Sequence, residues 1–412
     1  MKLRAFILDF KSMPRNVKVC ACAMPLWAIP HTMYNSYASM FMLEQGITPT
    51  QVGFINSVTF LVKTVLSLFS AYLVNRLGRK YATPLVDFVG WAFPTLLFFF
   101  ATEYWQFLLA SVINCVSVIN NVCTQCLYSE DVDPRVRIKS FNYNNISSAL
   151  CGFTVPLTGL MIGRFGFLPT MRGVYLFAFL SMSLFALAKL LFLQETSVGK
   201  LLKAKKERLP NPISLVAKPM GYIVGNRRLL FLFSMNILLN FAINVNNLYY
   251  FPFLTDSLGY PDDFVSLFPF ITTAVSLVVY LFVVNRVRNM ARCELFAIGM
   301  YLMGAVTLVL SYFTARDLAL LCVFFWAVAG ALSGPVLSTM IANTIDDEVR
   351  TNVLSVTNVL SMLFLFPAGY FGGWLYEMSP LYFLLFLGAV YLVGFAAFFL
   401  GRGRFLEGKS KA

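Results

Sequence analysis

The sequence predicts an all-α integral membrane protein whose twelve transmembrane helices form two six-helix halves. Hydrophobic residues fill 58% of the 412 positions, charged residues fill only 12%, and the mean hydropathy is +0.72. Soluble domains carry about 25% charged residues, so this composition excludes a soluble fold. Two further observations support the class: basic residues are concentrated in alternate loops, and the second half of the chain echoes the first.

Apolar runs long enough to cross a bilayer recur along the chain. A spanning helix needs about 20 residues for a hydrocarbon core of about 30 Å. Each run is predicted to be helical, because a helix satisfies its own backbone hydrogen bonds in lipid and no barrel-type alternation is present. The predicted spans are 17–42, 50–75, 81–101, 105–128, 138–162, 172–194, 228–254, 263–284, 293–313, 317–342, 350–375 and 379–401.

The net charge of +13 follows the membrane topology and does not indicate a nucleic-acid partner. With the N-terminus inside, only Arg164, Arg172 and Arg316 among the 32 Lys and Arg residues fall in external loops, while Lys63 and Lys189 lie within spans. This is the positive-inside pattern. We therefore expect a monomeric multi-pass protein of the plasma (inner) membrane with both termini in the cytoplasm.

The chain is predicted to consist of duplicated halves. Residues 74–77 (Val-Asn-Arg-Leu) are echoed by 284–287 (Val-Asn-Arg-Val), and Pro156 in span 5 is echoed by Pro367 in span 11. Parallel repeats of this kind are typical of secondary transporters.

The predicted boundaries are an N-terminal half over 1–194, a cytoplasmic linker over 195–227 and a C-terminal half with a short cytoplasmic tail over 228–412. The lysine-rich linker is interpreted either as a solvated connection or as an interfacial segment near anionic lipid.

The loop from Ala71 to Lys80 reads Ala-Tyr-Leu-Val-Asn-Arg-Leu-Gly-Arg-Lys. It resembles the pattern Gly-x-x-x-Asp-Arg-x-Gly-Arg-Lys/Arg of the major facilitator superfamily of secondary transporters. Arg76, Gly78, Arg79 and Lys80 match, whereas Ala71 and Asn75 stand at the Gly and Asp positions. The resemblance implies transport by alternating access. It also implies a cytoplasmic gate in which Arg76 and Arg79 interact with Asp131 and Asp133, mirrored in the second half by Arg286, Arg288 and Asp346.

Polar residues inside several spans recur at intervals of three and four, which places them on one face of a helix. Such faces are predicted to line a central cavity, although Asn and Ser side chains also join helices by hydrogen bonds. The candidates are Asn56, Thr59 and Lys63 in span 2, Asn114 and Asn121 in span 4, and Asn236, Asn240 and Asn244 in span 7.

Lys63 lies near the middle of span 2, where a charge costs about 2.5 to 3.5 kcal/mol on insertion scales unless it has a partner or water. Asp87 in span 3 is the candidate partner. Two interpretations remain open. The residues form a structural ion pair, or Lys63 faces the cavity, where it binds an anionic or carbonyl-bearing solute or titrates with Asp87 as a proton relay.

His31 is the only histidine and lies in span 1, with Trp27 and Asn35 one turn away on either side. An imidazole titrates near neutral pH, so His31 is a candidate for proton coupling. The alternative is a hydrogen-bonded packing residue. Tyr34 is a candidate for the outer mouth of the cavity.

The predicted function is secondary transport of a small organic solute, with protons as the coupling ion on the strength of the family resemblance. No catalytic triad, metal-ligand cluster or phosphate-binding loop is present in the sequence, so we expect neither an enzyme nor a cofactor. The alternatives are a multidrug efflux pump and a flippase for lipid or lipid-linked substrates on the same fold. Span 5 resembles the pattern Gly-x-x-x-Gly-Pro-x-x-Gly-Gly of exporters in this superfamily at Pro156 and Gly159. Cys151, Val155 and Leu160 stand at its three other glycine positions.

Overall fold

The computed structural model describes residues 13–132, 151–204, 212–265, 267–282, 292–312, 316–342, 344–345 and 350–405. Every regular element within these ranges is a helix, and they contain no strand. Eight helices among them are long and apolar enough to cross a membrane: Pro49–Leu77, Arg79–Phe100, Tyr104–Ser129, Phe167–Phe192, Arg227–Ser257, Asp317–Ser338, Val356–Met378 and Pro380–Arg402.

These eight helices confirm an all-helical membrane fold, and the count of twelve stays a prediction. The helix Arg15–Asn35, with Pro25 and Pro30 inside it, overlaps predicted span 1 and begins two residues before it. Predicted spans 8 and 9 contain the shorter apolar helices Leu267–Val279 and Phe296–Leu310. Span 5 lies partly outside the described residues.

The contacts group the chain into two compact units. The first unit comprises Met1–Phe41 and Val62–Pro212. Its central element is the helix Phe167–Phe192, which packs against Arg15–Asn35 and against Arg79–Phe100. Tyr175, at the centre of this packing, is 1% exposed, and its ring lies 5.1 Å from that of Phe98 and 5.2 Å from that of Tyr34. The other described helices of this unit are Tyr104–Asn114, Asn120–Ser129, Val155–Phe165 and Ser197–Ala204.

Two irregular turns in the first unit pack against each other. Phe88–Ala92 forms a π-helical turn in the middle of Arg79–Phe100, and Cys115–Ile119 forms a 3₁₀ turn in the middle of Tyr104–Ser129. Gly90 permits this close approach, because a Cβ added there would lie 2.6 Å from the backbone nitrogen of Ser117. Such turns inside helices are often functional sites.

The second unit comprises Met42–Leu61 and Ile213–Ala412. Its core lies where Arg292–Tyr312 packs against Arg316–Ala342 and Pro380–Phe405. The other described helices of this unit include Arg227–Pro252, Leu267–Phe282 and Arg350–Met378.

The helix Pro49–Leu77 contributes only its first part, up to Leu61, to the second unit. Inside the second unit that part crosses Arg350–Met378 at two glycines. A Cβ added at Gly53 would overlap the carbonyl oxygen of Gly369, so only glycine fits at this crossing. The Tyr249 hydroxyl donates to the carbonyl oxygens of Pro49 and Gly369 there, at 3.1 and 3.2 Å.

Candidate functional site

A buried cavity of about 150 Å³ lies inside the first unit. Four of the predicted site residues line it: His31, Tyr34, Asn35 and Asn114. They come from the helices Arg15–Asn35 and Tyr104–Asn114. The other lining residues, which sequence analysis did not identify, are Ala38, Trp91, Pro94, Thr95, Phe98, Ser111 and Tyr175.

Aromatic rings form one side of this cavity. His31 stacks on Trp27 with the ring centroids 4.5 Å apart, and it meets Trp91 edge to face at 5.3 Å. The Tyr34 ring lies 5.5 Å from the imidazole. These rings come from two helices, and their polar edges add hydrogen-bonding groups to those of Asn35, Thr95, Ser111 and Asn114 in the same lining.

The π-helical turn places Trp91 at the cavity, and Asn114 stabilises that turn. Side-chain Nδ2 of Asn114 donates to the backbone carbonyl of Gly90 at 2.7 Å. A π-helical turn disturbs the regular backbone ladder, and the Asn114 amide satisfies a carbonyl of that turn. Asn114 therefore acts both as a lining residue and as a positioning residue for Trp91.

Two lining side chains carry buried donors that have no acceptor. Within the described ranges, Nε1 of Trp91 and the hydroxyl of Tyr175 have no hydrogen-bond partner. An unsatisfied buried donor costs about 1 to 3 kcal/mol. A bound solute that offers acceptors to these two groups would recover that cost.

The structure corrects the predicted partner of Asp87. Its Oδ2 accepts from Nζ of Lys189, on the helix Phe167–Phe192, at 2.8 Å, and the two side chains are 0% and 5% exposed. The Lys189 ammonium also lies 3.9 Å from the centroid of the Phe185 ring. Sequence reasoning compared adjacent spans and so overlooked Lys189, whose helix packs on that of Asp87.

Lys63 is half-buried on Pro49–Leu77, and its charge lies within electrostatic range of Cys115. Among the described residues, no carboxylate lies within ion-pair distance of Lys63, and Lys63 does not line the cavity.

The remaining asparagine candidates lie elsewhere. Asn121 is exposed on the helix Asn120–Ser129. Asn236, Asn240 and Asn244 belong to Arg227–Pro252 in the second unit, where Nδ2 of Asn240 donates to the backbone and side-chain oxygens of Asn236 at 2.7 and 3.0 Å. Nδ2 of Asn236 also donates to the hydroxyl of Ser361, on the helix Arg350–Met378, at 3.5 Å, so Asn236 joins two helices. The role of these asparagines as cavity lining stays a prediction.

The basic loop at 75–80 forms a polar cluster inside the first unit. Its acidic partner for Arg79 is Glu130, whereas Asp131 and Asp133 were expected. Arg79, which is 2% exposed, donates from Nη2 and Nε to both oxygens of Glu130 at 2.8 and 3.1 Å. Asp131 has a left-handed backbone (φ 55°), and its carboxylate accepts from the backbone nitrogen of Ser197 instead. Arg76 is exposed and donates to the hydroxyl of Tyr72.

Glu195 completes this cluster and was not among the predicted residues. Its carboxylate accepts from the backbone nitrogens of Arg79 at 2.9 Å and Lys80 at 3.3 Å, at the positive end of a helix. Gly78 allows this approach, because its φ is +83° and an added Cβ would overlap Oε2 of Glu195. Asn75 accepts from Nη1 of Arg79 at 2.9 Å. The predicted gate residues Asp133, Arg286, Arg288 and Asp346 lie outside the described residues.

Comparison with known proteins identifies the fold. A family model described as Major Facilitator Superfamily matches residues 26–369. No curated protein matches the sequence.

Several solved structures share the fold over nearly the whole chain. The nucleoside transporter NupG is 15% identical, with a TM-score of 0.68, and the match covers 94% of this chain and 98% of that one. A D-xylose–proton symporter is 16% identical, with a TM-score of 0.67 and coverage of 95% and 96%. A bacterial homologue of the human lysosomal transporter Spinster, in an inward-facing and unoccupied conformation, is 13% identical, with a TM-score of 0.69 and coverage of 96% and 98%.

Proposed function

Because the chain belongs to the major facilitator superfamily, and is therefore a membrane transporter and not an enzyme, we propose that it moves a small, neutral, ring-bearing solute by proton-coupled alternating access. The observation that carries this proposal is the cavity in the first unit.

The chemistry of the cavity favours a neutral solute. Among the residues that the structure describes, none of those lining it carries a carboxylate, ammonium or guanidinium group. Stacked and edge-on rings suit the flat face of a cyclic solute, whereas the Trp91 and Tyr175 donors and the Asn35 amide suit its hydroxyl or carbonyl oxygens. The structurally similar nucleoside transporter and D-xylose–proton symporter carry solutes of this general kind.

Proton coupling is assigned to His31. It is the one histidine of the chain and stands in the cavity wall, where a solute would contact it directly. Protonation would change its ring from a donor and acceptor into a double donor, and so couple the bound solute to the proton. Asp87 is already paired with Lys189 and does not line the cavity.

Alternating access is supported by the crossing of Gly53 and Gly369 inside the second unit. Gly53 lies in the predicted half 1–194 and Gly369 in the predicted half 228–412. The predicted topology places Gly53 near the external end of span 50–75 and Gly369 near the external end of span 350–375. Further contacts of the same two helices involve Thr50 with Glu377, and Ser57 with the Tyr370 nitrogen at 3.1 Å. We propose that this crossing closes the external entrance and separates when the solute enters from outside.

The test is uptake of labelled solutes into proteoliposomes, with a neutral nucleoside, a neutral sugar, an organic anion and a lipophilic cation in parallel. We expect saturable uptake of a neutral cyclic solute that responds to an imposed pH gradient. Trp91→Phe and Tyr175→Phe each remove one donor and should raise the apparent KM about 2- to 13-fold, as expected for a hydrogen bond of 0.5 to 1.5 kcal/mol.

Trp105→Phe and Tyr382→Phe are matched controls, because these side chains are exposed and are not among the lining residues. Uptake confined to the anion, and lost in Lys63→Ala, would overturn the neutral-solute proposal. Uptake confined to the lipophilic cation would favour the multidrug alternative. A His31→Gln variant that keeps the full response to a pH gradient would refute the role of His31.

A further inference from the structure

A cluster of lysines and an apolar groove meet on the surface of the first unit. Lys80, Lys200 and Lys203 line an open pocket of about 470 Å³, together with Tyr81 and Glu195. A second, apolar groove of about 500 Å³ starts from the same Tyr81 and continues between the helices Arg79–Asp87 and Phe167–Phe192. The pocket and the groove therefore share Tyr81 as a lining residue.

The pocket keeps a net positive charge, because its lining contains three ammonium groups and one carboxylate. Glu195 accepts from the backbone nitrogens of Arg79, Lys80 and Thr196, so its charge is directed at a helix start. In the described part of the chain, no carboxylate lies within 4 Å of the ammonium groups of the three lysines. Lys80 and Lys203 flank the Tyr81 ring at 5.5 and 5.4 Å from its centroid.

The position of this pocket matches the surface of a bilayer. Lys80 is at the first turn of a membrane-capable helix, and Lys200 and Lys203 lie on the short helix Ser197–Ala204, just after another one ends. Leu201 on that short helix is 66% exposed, as expected for a helix that rests on lipid. The positive-inside pattern assigns this face to the cytoplasm.

The apolar groove is long enough for about two thirds of the acyl chain of one leaflet. Its walls are Pro84, Leu85, Phe88, Ala186, Leu187 and Leu190, with Ser183 at one point. From Tyr81 to Phe88 the helix rises about 10 Å at 1.5 Å per residue, compared with about 15 Å for one leaflet of the hydrocarbon core. Several of these side chains are exposed, so the groove is open along its length.

We propose that this composite site binds an anionic phospholipid of the cytoplasmic leaflet. The phosphate lies among the ammonium groups of Lys80, Lys200 and Lys203, and one acyl chain lies in the groove below Tyr81. Basic pockets beside spanning helices on the cytoplasmic side suit such headgroups. The lipid would hold the linker helix Ser197–Ala204 against the polar cluster of Arg79, Glu130 and Glu195.

The test is native mass spectrometry of the purified full chain, titrated with phosphatidylglycerol, phosphatidylcholine or inorganic phosphate. We expect the wild type to retain phosphatidylglycerol in preference to phosphatidylcholine. Lys200→Gln/Lys203→Gln should weaken phosphatidylglycerol binding about 30-fold, which corresponds to about 1 kcal/mol for each lysine.

The matched control is Arg227→Gln/Arg228→Gln, which removes the same charge from exposed positions at another helix start and should bind like the wild type. Leu187→Gln/Leu190→Gln alters only the groove and should also weaken phosphatidylglycerol binding. Equal binding of the two lipids, or wild-type affinity in the lysine variant, would overturn the proposal. Wild-type affinity in the groove variant, or equally tight binding of inorganic phosphate, would show an anion site without an acyl-chain groove and would also overturn it.

Discussion

Replacing Lys189 with methionine is expected to destabilise the first unit strongly. The Lys189 ammonium lies 2.8 Å from the Asp87 carboxylate, and both side chains are almost fully buried. At an effective dielectric constant of about 20, two charges 2.8 Å apart attract by about 6 kcal/mol. Desolvation of both charges offsets much of that attraction. Removing one partner leaves an uncompensated buried charge, which costs about 3 to 5 kcal/mol.

Lys189 is the compensating partner of Asp87 in the described structure. The other carboxylate oxygen, Oδ1, has no hydrogen-bond partner among the described residues. The double variant Asp87→Val/Lys189→Met removes both charges and should recover most of the lost stability, because buried ion pairs are often replaceable by apolar side chains.

Thermal unfolding of the purified protein, followed with a thiol-reactive fluorogenic dye, measures these effects. Cys20 and Cys123 are buried in the first unit and react when it opens, whereas the exposed Cys22 reacts in the folded protein and is replaced by serine in every variant compared. Lys63→Met is the control and should change the unfolding free energy by less than about 1 kcal/mol. The reasoning is refuted if Lys63→Met destabilises the protein as much as Lys189→Met, since Asp87 would then depend on Lys63.

Three further changes test other parts of the structure. Arg79→Gln removes both bonds to Glu130 and should speed tryptic cleavage at Lys200 and Lys203 by at least about tenfold, because hydrogen bonds to charged groups are worth about 1.5 to 3 kcal/mol; Arg76→Gln, at an exposed position, should leave the rate unchanged. Gly53→Ala forces the crossing at Gly369 apart and should abolish uptake while the protein still elutes as folded; Gly334→Ala, a helical glycine with open space around it, should transport normally. Asn114→Leu leaves the Gly90 carbonyl unsatisfied and should cost about 1 to 3 kcal/mol of stability and weaken solute binding, whereas an unchanged affinity would show that Asn114 does not position Trp91.

The sequence predicted part of the candidate site for a clear reason. Helical periodicity places polar residues of one helix on one face, and this identified Asn114. His31 was a candidate as the only histidine, Asn35 as its neighbour one turn away and Tyr34 as a residue of the outer mouth. Trp91 and Tyr175 were not found, because large aromatic residues in an apolar span look like lipid-facing or core residues. The π-helical turn that presents Trp91 has one local signal, Pro94, which has no N–H to donate to the Gly90 carbonyl four residues earlier, but the signal does not specify which side chain the turn presents.

Pairings between helices were the least predictable feature. Adjacency in the chain suggested Lys63 as the ion-pair partner of Asp87. The observed partner is Lys189, from a helix that is distant in sequence and packs against the helix of Asp87. The loop pattern correctly identified Arg79 as a residue with an acidic partner at the end of span 4. The choice of Glu130 over Asp131 depends on the backbone turn at Asp131, which only the folded chain defines.

Composition and charge distribution alone determined that this chain is an all-helical membrane protein, because lipid excludes unsatisfied backbone and charged surface regardless of how the helices pack. The ten-residue loop from Ala71 to Lys80 indicated the superfamily by its resemblance to a known pattern. The tertiary structure decided which charges meet, which donors stay unpaired and where a cavity remains. Those properties depend on contacts of a few ångströms between helices distant in sequence, and local sequence patterns do not encode them.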